Sequence, residues 1–266
     1  MRAPTFLFGL AFLPLLAAPA LAALSEADLS DVALRPAPHA LVPGELRFSD
    51  DGRPIALGDV MRDRPTLLIL ADYNCHTICG PILAATEATI RSSGLAAGRD
   101  FNLVVIGIDP TETRADANEM KQAQFGDDAA LAAAAHFLRG DARALAELSA
   151  AIGYHARYDA VARRYAHPTD LIVLTPDRHL SRLLPGLGTA GGELRAALVE
   201  ARDGYLGAVI DRAHVLCYGL DPAHGVYNAF VRAGLIGAGG ATLAAVGAMA
   251  AIAQRRRRRL IGEGGR

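Results

Sequence analysis

Two short, uninterrupted apolar runs constrain this chain more than any other feature. Thr66-Leu67-Leu68-Ile69-Leu70-Ala71 follows Pro65, and Asn102-Leu103-Val104-Val105-Ile106-Gly107-Ile108 precedes the turn Asp109-Pro110. Neither alternates with polar residues, which suits strands buried on both faces of a sheet. Such strands need covering helices, and the sequence between and after them supplies helical patterns. Pro81 to Arg91 has helical composition and ends near Gly94, and Thr111 to Gln124 reads as a helix with Thr111 or Thr113 as N-cap. Asp141 to Ile152 reads as another, with Asp141 as N-cap and Leu145 and Leu148 facing inward. His136-Phe137-Leu138 is a short strand candidate. Leu171 to Leu174 and Leu180 to Leu184 form a hairpin about Asp177-Arg178, and Gly192 to Ala201 is a last helix. Ahead of all these, Leu46 to Phe48 and Pro54 to Leu57 flank Ser-Asp-Asp-Gly as a further hairpin. The alternation predicts an α/β fold, a mixed central sheet flanked by helices on both faces. No GxGxxG loop follows Gly107 and no internal repeat is present.

Composition narrows the function classes. With 52% hydrophobic and 21% charged residues in 266, the chain is not of the disordered type. Three cysteines are too few for a disulfide-rich scaffold. A formal net charge of −1 argues against nucleic acid as a partner. That average hides a segregation, because the body is acidic whereas residues 254–266 hold six Arg and one Glu.

The ends predict where the chain resides. Arg2, an apolar run from Phe6 to Leu16 and the small-residue site Ala20-Leu21-Ala22 have the order of a secretory signal peptide over 1–22, with cleavage expected after Ala22 or one residue later. Residues 23–44, with Pro36, Pro38, Pro43 and Gly44 and no clear period, read as a linker. The domain itself is expected over 45–205, followed by a juxtamembrane segment over 206–230. Ala233 to Ala253 carries no charge and is long enough to cross a bilayer, which places a transmembrane helix at 231–253. Arg255 to Arg259 then put the basic tail, 254–266, in the cytoplasm and the body outside. The expectation is a protein of the bacterial inner membrane whose soluble domain faces the periplasm.

Chemistry concentrates in Asp72-Tyr73-Asn74-Cys75-His76-Thr77-Ile78-Cys79-Gly80-Pro81. Cys75 and Cys79 follow a buried strand and open a helix, where a four-residue spacing turns both sulfurs to one side. A helix N-terminus favours thiolate, which is both the nucleophile of disulfide exchange and a soft metal ligand. The pair therefore suits a redox couple that closes and opens a disulfide, a metal clamp, or both. A purely structural disulfide would close so small a loop that it would gain little. His167, before Pro168 in the loop leading to Leu171, is the best-placed third ligand. Two thiolates and an imidazole suit copper, with zinc as competitor. His76 is expected to point away from the side shared by the sulfurs. Asp109 reads equally as a group supporting the site and as ordinary turn chemistry. Cys217, close to the predicted membrane span, reads as a small buried apolar residue, with pairing or copper transfer as alternatives.

Four motifs in order resemble the Sco/SenC family: Tyr73 with Cys75 and Cys79, then Asp109-Pro110 within VVIGIDPTETR, then HFLRGD, then YAHPTDLIVLTPDRHLSRLLPG around His167. His76 and Gly80 stand where many members have Pro, and Ala166-His167-Pro168 replaces Asp-His-Ser. The resemblance covers about residues 42 to 205, and LCYGLDPAHGVY before a membrane span is similar to a bacterial branch. It implies a thioredoxin-like fold and copper, as Cu(I) or Cu(II), held by Cys75, Cys79 and His167. It also implies a membrane-tethered metallochaperone that delivers copper to the copper-bearing subunit of cytochrome c oxidase. A thiol–disulfide oxidoreductase that reduces target cysteines before metal loading is the alternative, and only that reading makes the chain an enzyme.

Overall fold

The computed structural model describes residues 24, 26–75, 79–206 and 242. The chain opens with α1 (Glu26–Ser30), β1 (Ala33–Leu34), the hairpin β2 (Arg47–Asp50) and β3 (Arg53–Ala56), and α2 (Leu57–Val60). The two apolar runs become β4 (Thr66–Ala71) and β5 (Asn102–Gly107), separated by α3 (Cys79–Ser93). Then come α4 (Arg114–Phe125), α5 (Ala129–Ala134), β6 (Ala135–Arg139), α6 (Ala142–Ile152), β7 (Tyr154–His155), β8 (Arg157–Asp159) and β9 (Arg164–Ala166). The hairpin β10 (Leu171–Leu174) and β11 (Leu180–Leu184) precedes α7 (Gly191–Arg202).

Seven strands form one mixed sheet in the order β11-β10-β4-β5-β6-β2-β3. The central trio β4, β5 and β6 is parallel, and β10, β11, β2 and β3 join antiparallel. Every residue of β4 and β5 is buried, as unbroken apolar runs require in the middle of a covered sheet. Side chains alternate between faces along a strand. Leu67, Ile69 and Ala71 accordingly join the core under α3, α4 and α7, with Leu83, Met120 and Leu194. Leu68 and Leu70 join the opposite core with Leu57, Leu145 and Leu148. The alternation continues past the end of β4, because Tyr73 and Cys75 lie in the same cluster as Leu67, Ile69 and Ala71.

Local signals set most boundaries. Thr113 caps α4 in a capping box with Asp116, and Asp141 caps α6 through Ala144 N–H at 2.8 Å. Gly153 ends α6 at φ 64°, the left-handed conformation that glycine adopts without a Cβ penalty. Helix α3 begins at Cys79, two residues earlier than expected. Pro81 falls in its first turn, where a missing N–H costs nothing. The short elements α1, α2, α5, β1, β7, β8 and β9 carry no period long enough to read in the sequence.

The stretch 23–44 is not the free linker its prolines suggest. Val32, Leu34, Ala40 and Val42 are buried, β1 pairs with β7, and Val42 N–H donates to Arg178 O at 3.1 Å. Prolines favour an extended backbone, and an extended backbone can lie along a domain as readily as lead away from it. Among the described residues no helix is long and apolar enough to cross a membrane. The signal segment, Cys217, nearly all of the juxtamembrane segment and of the membrane span, and the basic tail lie outside the described residues.

Candidate functional site

The site is built where β4 ends. Cys75 N–H donates to Asp72 O at 3.0 Å and Asn74 N–H to Asp72 Oδ1 at 2.9 Å, which folds Asp72 to Cys75 into a tight turn. The other carboxylate oxygen, Asp72 Oδ2, accepts Tyr165 N–H at 3.3 Å. One buried carboxylate thus fastens the cysteine turn to β9, and His167 follows β9 directly. Burial raises the Asp72 pKa, and the hydrogen bonds from Tyr165 and Asn74 work against that rise.

Strand β10 runs antiparallel to β4, with Ile172 opposite Leu68 and Leu174 opposite Thr66. Its beginning therefore lies at the end of β4, and the segment entering it passes over the cysteines. His167 Nε2 comes to 3.5 Å from Cys79 Sγ. His167 is 1% exposed, Cys79 3% and Cys75 7%, so the three predicted donors lie in one nearly dry region. Cys75 and Cys79 are not bridged to each other. His76, between them, lies outside the described residues.

The imidazole is held in one tautomer. Nδ1 lies 2.9 Å from Pro168 O and 2.9 Å from the Tyr154 hydroxyl. A carbonyl oxygen can only accept, so Nδ1 carries the proton and Nε2 presents a lone pair toward Cys79. Tyr154 O–H also reaches Pro168 O at 3.3 Å. Burial lowers the His167 pKa below the usual histidine value, opposed by the Pro168 hydrogen bond and by the charge of Cys75. A neutral imidazole with its proton engaged on the far nitrogen is the form that ligates metals.

Two thiols and an imidazole nitrogen are the donor types that soft metals take. Among the described residues no group of three His, Cys, Asp or Glu side chains stands close enough together to hold a metal ion. Cys79 and His167 are in contact, and Cys75 is near enough for its charge to act on His167. A cleft of about 280 Å³ reaches Cys75 between its turn, α3 and α4, lined by Tyr73, Asn74, Pro81, Met120 and Gln124.

Asp109 is engaged in its turn: Oδ1 accepts Thr111 N–H at 2.8 Å and Thr111 Oγ1–H at 2.7 Å. Its charge nevertheless reaches Asp72 and Glu112. Sequence reasoning missed Tyr154, Tyr165 and Glu112. Tyr154 follows the Gly153 cap and Glu112 follows the Asp109-Pro110 turn, but nothing local marks either as facing the cysteines.

No family model and no curated protein matches the chain. Solved structures do match. A protein from Aquifex aeolicus VF5 named for electron transfer is 21% identical with a TM-score of 0.55, over 63% of this chain and 95% of its own. A SCO1/SenC family lipoprotein from Bacillus anthracis str. Ames is 16% identical with a TM-score of 0.52, over 64% and 99%. ScoI from Arabidopsis thaliana, solved with copper bound, is 16% identical with a TM-score of 0.51, over 62% and 99%. The fold is that of these proteins, a Sco/SenC-like thioredoxin fold.

Proposed function

We propose that this protein is a membrane-tethered periplasmic copper metallochaperone, with Cys75, Cys79 and His167 as the ligands of its cargo. The observation that carries the reading is the 3.5 Å contact of Cys79 Sγ with an Nε2 whose partner nitrogen is held by Pro168 O and Tyr154. Thiolates favour Cu(I), and the imidazole accommodates Cu(II). On loading, each thiol gives up its proton as its sulfur binds the metal, while the neutral imidazole gives up none. Burial shields the cargo from water, and the cleft at Cys75 makes Cys75 the sulfur that an incoming acceptor would meet. Copper in the Arabidopsis ScoI structure supports copper over zinc, and the four Sco/SenC-like motifs support a cytochrome c oxidase subunit as recipient. The uncharged span and arginine cluster at the C-terminal end support the tether and the periplasmic orientation.

The test is anaerobic copper titration of the full chain in mild detergent. One copper per chain is expected, lost in Cys75→Ser and Cys79→Ser and weakened in His167→Ala. Unaltered binding in the His167 variant would remove the imidazole from the ligand set.

A second reading, thiol–disulfide oxidoreductase, is favoured by the cleft that reaches Cys75. It requires only one thiolate to attack a target disulfide and the other to resolve the mixed disulfide. Reduction of a disulfide substrate that is abolished in Cys75→Ser and intact in His167→Ala, with no copper retained, would select it.

A further inference from the structure

Glu112 is a buried carboxyl that neither reading uses. It is 4% exposed, at the turn between β5 and α4. Its Oε1 accepts the backbone N–H of Tyr73 at 2.5 Å, across 39 residues of sequence. Its Oε2 has no hydrogen-bond partner. The carboxyl lies over Gly107, the last residue of β5, so closely that a Cβ there would overlap Oε2 and come within 2.7 Å of the Tyr73 ring. Tyr73 is fixed at its other end too, its hydroxyl donating to Val105 O at 3.1 Å and reaching Leu138 O at 2.9 Å. The turn that presents Cys75 is therefore held at its second residue by a side chain from the neighbouring strand's exit loop.

We propose that Glu112 is a positioning residue for the Cys75–Cys79 pair, acting through the Tyr73 N–H on the turn from Asp72 to Cys75. This rests on the cysteine pair being the reactive centre and is indifferent to whether its task is copper carriage or disulfide exchange. Three observations carry it. The Tyr73 amide lies two residues from Cys75 inside a turn closed by the Cys75 N–H to Asp72 O bond. An acceptor from outside that turn fixes the amide. Gly107 leaves the room that the acceptor occupies.

The groups facing this carboxyl are Asp72, Asp109, Tyr73 and Tyr165, with Arg139 bonded to the Glu112 backbone carbonyl at 3.0 Å rather than to the carboxyl. Burial, with Asp72 and Asp109 adding to it, pushes the Glu112 carboxyl up to about 9, so it holds Tyr73 as a neutral acid at pH 7. A neutral acceptor fixes the turn without adding a further negative charge next to Asp72 and Asp109. The glutamine amide offers the same oxygen in the same place, so Gln is the substitution that preserves the function.

The experiment measures the equilibrium constant of the Cys75–Cys79 couple in the full chain against a dithiothreitol buffer at pH 7. The disulfide takes up two electrons and two protons to give two thiols, and dithiothreitol supplies both as it cyclises to its own disulfide. Glu112→Gln is expected within twofold of the native chain. Glu112→Ala and Glu112→Met, which lack the acceptor, are expected to change the constant at least tenfold, about 30 mV for two electrons. Folded Ala or Met variants with a native constant would overturn the proposal, as would a Tyr73 amide unprotected from hydrogen exchange in the reduced native chain. The amide measurement stands even if neither variant folds. Copper is absent from these assays, so they test Glu112 in the same way whether or not the copper reading holds.

Discussion

Cys79 Sγ and His167 Nε2 lie 3.5 Å apart although 88 residues separate them in sequence. The contact results from two features of the sheet. Strand β10 returns antiparallel beside β4, bringing the segment before it to the end of β4. Asp72 then ties the cysteine turn to β9 through Tyr165 N–H, two residues before His167. The donor pair is a product of strand order, and the carboxylate fixes its final approach.

The hydrogen bonds behind His167 predict a graded loss. Tyr154→Phe keeps the ring and removes the hydroxyl that lies 2.9 Å from Nδ1. Substituting such outer partners typically costs 10–100-fold in metal affinity. Copper competition with a chelator is expected to show a loss in that range for Tyr154→Phe and a larger one for His167→Ala. A native affinity in Tyr154→Phe would mean that Pro168 O alone holds the ring.

His167 also predicts an acid limit. Its folded-state pKa is lowered by burial, so its neutral form contributes stability that is present above the unfolded value near 6.5. That contribution is lost as pH falls through the lower folded value, where protonation also removes the Nε2 lone pair. Copper affinity measured from pH 8 downward is expected to decline as protons compete for the thiols, with an additional acid step below 6.5 that comes from His167. In His167→Ala that acid step is expected to vanish.

Glu112 predicts the opposite pH trend in stability. Its folded value of about 9 lies above the usual 4.5, so below about pH 4.5 the carboxyl is neutral in both states and carries no penalty. As pH rises toward 9 the unfolded chain ionises first, and folding loses up to about 1.4 kcal/mol per unit before levelling off. Urea unfolding of Glu112→Gln is expected to flatten this decline and to show higher stability than the native chain at pH 8. Parallel curves for the two proteins between pH 5 and 9 would show that Glu112 does not titrate this way.

Gly107 predicts a coupling. A methyl at this position would overlap Glu112 Oε2 and crowd the Tyr73 ring, and overpacking of this kind costs roughly 1–3 kcal/mol. Gly107→Ala is expected to unfold at lower urea than the native chain. In a Glu112→Ala background the same change is expected to cost less, because one of the two obstacles is gone. Additive costs in that double-mutant cycle would separate the two sites energetically.

The sequence by itself determined the parts of this protein that depend on neighbours within a turn or two. The short runs at 66–71 and 102–108 suit buried strands, since a strand covered on both faces shows no apolar–polar alternation. Asp141 and Thr113 mark helix starts because a cap bonds amides two or three residues on, and Cys75 and Cys79 carry their chemistry in their spacing. The same local view misread Pro36 and Pro38 as signs of a free linker, because proline fixes a dihedral and says nothing about what the extended chain lies against. Tertiary structure alone decided which histidine nitrogen is bare, through Tyr154 and Pro168 O. It also decided what fastens the cysteine turn, through Asp72 to Tyr165 and Glu112 to Tyr73. Those bonds join residues 13, 93 and 39 positions apart. Tyr154, Asp72 and Glu112 acquire their partners only when β4, β5 and β10 take their order in the sheet, an order set by the burial of whole strands and not written near any one of these residues.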